Sequence, residues 1–158
     1  MHREQILRLL GSYHIKYDSD AAQLEKVRRF VAENPRCFDR SLTTGHLTGS
    51  AWIVSPDRSQ VLLTHHRKIG QWLQLGGHAD GDHDMFAVAR REAQEESGLN
   101  RIQPLSPEIF DIDVHRIRAR GLNPAHYHYD IRFIFEANPA EPLVISHESQ
   151  DLAWVPLE

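Results

Sequence analysis

From His126 to Ala137 the chain reads HYHYDIRFIFEA, and alternation this regular suits one conformation. In an extended strand successive side chains point to opposite faces. Tyr127, Tyr129, Ile131, Phe133 and Phe135 therefore make one apolar face, and His126, His128, Asp130, Arg132 and Glu136 make a polar one. A strand with such an apolar face has to be paired and covered, so the chain folds around a sheet. Further strands are expected at Ile109–Ile117, where Phe110, Ile112 and Val114 share a face, and at 50–55 and 60–65 as a hairpin about Pro56-Asp57. A last strand is expected at 153–155.

The first third has a different period. Ile6, Leu9 and Leu10 recur at helical spacing, and Ala21, Leu24, Val27, Phe30 and Val31 do so after an Asp18-Ser19-Asp20 start signal. Pro35 stops the pattern. Residues 36–49, with Gly45 and Gly49 among Ser and Thr, read as a connection, which divides the chain into an N-terminal helical arm, 1–45, and a sheet domain, 46–158. The expected fold is α/β with a mixed sheet.

Composition removes several function classes. The net charge is −4, from 18 Lys and Arg against 22 Asp and Glu, and lacks the basic footprint of a protein that binds nucleic-acid polymers or anionic membranes. The N-terminus MHREQILRLL has no signal-peptide core, and the longest apolar runs are far shorter than the ~20 residues that span a bilayer. The single cysteine, Cys37, forms no internal disulfide and reads as a buried structural residue. A lone thiol fits a reducing compartment, so a cytoplasmic location is expected.

The chemistry is concentrated in residues 76–99, GGHADGDHDMFAVARREAQEESGL. Asp84 is placed to cap a helix running from Met85 to about Ser97, which Gly98 ends. On that helix Glu92 neighbours both Glu95 and Glu96, so three carboxylates converge within one turn. Their repulsion becomes attraction when a divalent cation sits among them, and an oxygen-only cluster suits hard ions such as Mg²⁺ or Mn²⁺, which bind phosphate oxygens alongside.

The spacing resembles the Nudix box, the signature of Nudix hydrolases. Gly77, Arg91, Glu92, Ala93, Glu95, Glu96, Gly98 and Leu99 all match it, and chance would place the six specific residues in a chain this long with a probability on the order of 10⁻⁵. Strand order extends the resemblance over residues 46–158 and implies a Nudix-type α/β/α sandwich. The first box glutamate is replaced by His83. The preferred reading leaves His83 beside the site at the loop-to-helix junction; a softer metal ligand and impaired catalysis are the alternatives. Asp80, Asp82 and Asp84 flank it, with Asp84 assigned to capping.

The resemblance implies residue roles. Glu92, Glu95, Glu96 and the Gly76 carbonyl would hold Mg²⁺ (or Mn²⁺), and Arg91 would brace the glutamates. The general base would come from the box, with Glu95 foremost, or from a later loop, where Glu148 precedes Trp154 at a suitable spacing. The reaction implied is metal-dependent hydrolysis of the diphosphate linkage in a nucleoside diphosphate derivative. A catalytically impaired Nudix-like sensor that binds nucleotide ligands is the alternative, and an isomerase reading lacks its acid–base residues. The partner is a small-molecule nucleotide. The arm either covers the surface that a closing C-terminal helix occupies in relatives or supports a homodimer.

Other residues extend the site. His65 and Arg67, in His65-His66-Arg67-Lys68, are candidates for phosphate or leaving-group contact, and His128 is a candidate for substrate contact in the cleft. His126, His128 and Asp130, with His115, read first as a polar sheet face, next as substrate contact, and last as a zinc site of mixed nitrogen and oxygen ligands. Trp52, Trp72, Tyr127 and Tyr129 read as core before they read as base-stacking residues.

Overall fold

The computed structural model describes residues 2–158. Two helices, α1 (Glu4–Gly11) and α2 (Asp18–Glu33), precede β1 (Gly45–Val54), β2 (Gln60–His66), β3 (Trp72–Leu73) and β4 (Leu75–His78). Helix α3 (Met85–Ser97) then leads to β5 (Gln103–Pro104), β6 (Asp111–Ile117), β7 (His126–Glu136) and β8 (Ser149–Pro156). No helix among the described residues is long and apolar enough to cross a membrane.

β1 organises the sheet. It runs parallel to β7 along its whole length, Gly45 opposite Tyr127 and Val54 opposite Glu136, while Thr48–Ala51 on its other edge pair antiparallel with β4. β7 pairs antiparallel with β6 and β5, and β2 pairs with β3 and β8. One parallel pair among antiparallel ones makes the sheet mixed, as expected.

Two expectations are corrected. The connection does not extend to Gly49, because β1 begins at Gly45: a Cβ on Gly49 would lie 2.9 Å from Val88 Cγ1 and 3.1 Å from the Ala89 amide, so glycine is what lets α3 approach the strand. The hairpin is reduced to one pair, Val54 with Val61. β4 occupies the antiparallel edge of β1, and β2 is paired along its length with β8 instead.

The odd-numbered face of β1 and β7 is the core. α3 packs there through Phe86, edge-on to Phe133, and so does the arm, through Phe30 stacked on Tyr129 with ring centroids 3.9 Å apart. Ile6, Leu10, Val27 and Val31 are buried in the same cluster as Leu47, Ile53, Ile131 and Phe133, so the arm shares the core of the sheet and lies on the same side of it as α3. Arg3 fastens α1 to α2 by donating to the Val31 and Ala32 carbonyls, each at 2.8 Å. Cys37 is fully buried, and burial pushes its thiol up to about 11. Trp72 and Tyr127 depart from the core reading and are exposed: Trp72 lies on a two-residue strand and Tyr127 near the start of β7.

The even-numbered face is polar, and its centre, His46, Thr48, Ser50 and Asp130, is also buried. Asp130, 4% exposed, accepts from Thr48 at 2.8 Å and Ser50 at 2.7 Å through one oxygen and from Arg132 Nε at 2.9 Å through the other. Arg132 also reaches Asp111 at 3.0 Å and Asp113 at 3.5 Å. Buried charge is tolerable only when paired in this way.

Candidate active site

The local signals around α3 act as the residues dictate. Asp84 caps the helix by accepting from the Ala87 amide at 3.0 Å, and Gly98 ends it in the left-handed region at φ 72°, its amide donating to the Gln94 carbonyl. A side chain on Gly98 would also collide with Val144. Between the caps, the acidic turn lies against β4.

Glu96 is 7% exposed, and the Gly76 amide donates to it at 3.3 Å. The carboxylate of Glu92 fills the space where a Cβ on Gly77 would be, so Gly76-Gly77 forms a cradle that a larger residue would close. Burial, followed by the charges of Glu92, Glu148 and Glu95, raises the Glu96 carboxyl to about 8 against the opposing pull of the Gly76 amide. Burial and then the neighbouring Glu95 also raise Glu92, against the opposing pull of Arg91. Glu95 is exposed at the edge of the turn.

Arg91 clamps the loop before the helix to the acidic turn. It donates to Asp82 and to the His78 carbonyl, each at 3.3 Å, and lies 3.5 Å from Glu92. Asp80, at φ 50°, takes a bidentate ion pair from Arg40 at 2.6 and 2.7 Å. The Arg40 guanidinium is stabilised in turn by the fields of Asp80, Glu92 and Glu148. No sequence signal marks Arg40, because it lies in the irregular connection and meets Asp80 only through the fold.

The loop before β8 covers the end of α3. The Val144 amide donates to the Ser97 carbonyl at 2.7 Å, and the Asn100 amide to Glu141 at 2.8 Å. Farther along, Glu148 faces the acidic turn closely enough for its charge to raise both Glu92 and Glu96. Its carbonyl accepts from the Arg67 amide at 3.0 Å, and Arg67 also donates to the Ser149 carbonyl at 3.4 Å. Thus Gly76, Arg91, Glu92, Glu95, Glu96 and Glu148 come together, with Arg67 adjoining. His65 packs edge-on to Trp72 instead, and the neighbours of His128 are other histidines.

His83 is exposed, with its ring 4.9 Å from those of Phe38 and His2. Its three flanking aspartates are already committed, Asp80 to Arg40, Asp82 to Arg91 and Asp84 to the cap. His83→Glu is therefore expected to change the turnover rate less than threefold, about 0.6 kcal/mol of barrier. A tenfold gain in steady-state assays would show instead that this position serves the site.

The donor set fits a hard divalent cation. Three carboxylates share one turn of α3, and burial raises two of them, Glu92 and Glu96, so a cation among them would favour their charged forms.

Residues 46–158 match the model of the NUDIX domain. None of the curated proteins matches the chain. An Ap4A hydrolase from C. elegans shares the fold at 18% identity and a TM-score of 0.55, over 70% of this chain and 79% of that one. The E. coli dihydroneopterin triphosphate pyrophosphohydrolase does so at 15% identity and 0.56, over 70% and 80%. A Nudix hydrolase from M. smegmatis does so at 22% identity and 0.50, over 71% of each chain. With the domain model matched over most of the chain and the box residues assembled on α3, this protein belongs to the Nudix hydrolase family.

Proposed function

We propose that the protein hydrolyses the diphosphate linkage of a nucleoside diphosphate derivative, using a divalent cation, Mg²⁺ or Mn²⁺, held by Glu92, Glu95, Glu96 and the Gly76 carbonyl. The observation that carries this reading is the acidic turn, Glu96 buried and Glu92 half-buried, set against the Gly76-Gly77 cradle. Bound there, the cation would supply Lewis-acid polarisation of the phosphoryl oxygens and acidify a water. Arg91 keeps Glu92 and the β4 loop in register as a positioning residue. Glu95, exposed at the rim, and Glu148, whose charge reaches the turn from the loop before β8, are assigned to take a proton from an attacking water. Arg67, which borders that loop, and His65, which lies on β2 against Trp72, are assigned to the phosphates or leaving group. His128 is assigned to the cleft side of the sheet.

The proposal is tested by product release from a panel of nucleoside diphosphate sugars, dinucleoside polyphosphates, nucleoside diphosphate alcohols and nucleoside triphosphates, comparing wild type with Glu95→Gln. Turnover of one class that is lost in the variant is the expected result. Thermal stabilisation by one ligand without turnover would overturn it in favour of a nucleotide-binding sensor.

A further inference from the structure

The polar face of the sheet carries a second cluster, built from nitrogen instead of oxygen. His46 on β1 lies directly across the parallel ladder from His128 on β7, and His115 on β6 pairs with His128 from the other side. His78, the last residue of β4, is opposite Thr48, which shares a face with His46. One ring nitrogen from each of His46, His78 and His128 falls within 4.8 Å of the others, and the three ring centroids are 4.9, 5.0 and 5.2 Å apart. His126 flanks them, its Nε2 3.3 Å from that of His128.

Two observations separate this cluster from a crowded polar face. His46 is 4% exposed, and neither of its ring nitrogens has a hydrogen-bond partner among the described residues. The Leu42 backbone approaches the ring without reaching hydrogen-bond geometry. Buried polar groups in folded proteins are almost always satisfied, so two orphaned nitrogens on one buried ring call for a ligand.

The outer histidines are also oriented. His126 Nδ1 is 2.9 Å from the Pro124 carbonyl, which can only accept, so Nδ1 carries the proton and the Nε2 lone pair points at His128. His115 Nδ1 is held at 2.9 Å by the Asp113 carboxylate. A carbonyl or carboxylate on the far nitrogen is how metal-binding histidines are fixed.

We propose that His46, His78 and His128 bind a zinc-class divalent cation, with His126 beside the fourth position. Imidazole nitrogens select Zn²⁺ and its transition-metal neighbours, whereas the acidic turn, all oxygen, selects Mg²⁺ or Mn²⁺. A tetrahedral zinc site needs nitrogens about 3.4 Å apart, so closure requires the imidazoles to turn inward by roughly an ångström while the strands stay paired. Asp130, from the mixed-ligand set considered on sequence grounds, is excluded because both its oxygens are engaged by Thr48, Ser50 and Arg132. The cation would join β1, β4 and β7. Because His78 follows Gly77 and its carbonyl accepts from Arg91, the same bond would anchor the strand that cradles the acidic turn.

The test is equilibrium dialysis of the full chain against Zn²⁺ with Mg²⁺ in large excess to occupy oxygen sites, on wild type, His78→Gln, His128→Gln and Glu92→Gln. One zinc per chain is expected in wild type and Glu92→Gln. Affinity should fall in the histidine variants by more than the ~10–100-fold typical of losing an outer partner. Zinc that Mg²⁺ displaces, that Glu92→Gln loses, or that the histidine variants keep would overturn the proposal. Circular dichroism checks the variants. Should they unfold, Co²⁺ added to wild type decides: the strong visible absorption of a four-coordinate nitrogen site supports the proposal, and the weak bands of a six-coordinate oxygen site contradict it.

Discussion

Glu96→Gln is expected to lower kcat by about 10²–10³-fold, because it removes a carboxylate from the divalent-cation site and with it roughly 3–4 kcal/mol of transition-state stabilisation. The same substitution should have the opposite effect on the stability of the metal-free protein. Burial raises the Glu96 carboxyl from its ordinary 4.5 to about 8, so between those values the folded chain holds a proton that the unfolded chain has released. Stability conferred by a raised pKa is fully present below 4.5 and is lost as pH rises through about 8. Wild type in chelator should therefore weaken by a few kcal/mol across that window, while Glu96→Gln, which cannot ionise there, keeps its stability. Denaturant unfolding at the two ends of the window measures both. An equal pH slope in the two proteins would refute the assignment of the buried charge to Glu96.

Asp130→Ala should cost about 3 kcal/mol. Breaking a buried ion pair typically costs about 3–5 kcal/mol, and the lower end applies because Arg132 keeps Asp111 and Asp113. The Thr48 and Ser50 hydroxyls lose their shared acceptor at the centre of the sheet. Asp130→Asn, which retains an oxygen for them, should lose less. The comparison requires urea unfolding with unchanged m-values, and a loss below about 1 kcal/mol for the alanine variant would mean that this network does not stabilise the β1–β7 pair.

Local signals were legible where a short stretch of chain sets its own conformation. Asp84 and Gly98 bracket α3, Asp20 accepts from the Lys16 and Tyr17 amides at the start of α2, and the alternation in 126–137 became β7. Glu92, Glu95 and Glu96 were legible because helical spacing brings residues three and four apart together. Features set by pairing between distant segments were not. Gly49 reads as loop because its reason for being glycine is the approach of Val88 and Ala89. β2 reads as half of a hairpin because nothing local shows that β4 takes the edge of β1. His46 and His78 look ordinary until the register places them beside His128, and Arg40 until the 79–84 loop brings Asp80 to it.

The most direct measurement of the central claim is the rate of product release from the best substrate of the panel, taken with Mg²⁺ or Mn²⁺ and again in excess chelator. Turnover that appears with the cation, falls by at least a hundredfold in chelator and returns when the cation is restored is the predicted result. Turnover that survives chelation, or no turnover with any member of the panel, would contradict a metal-dependent hydrolase built on Glu92, Glu95 and Glu96.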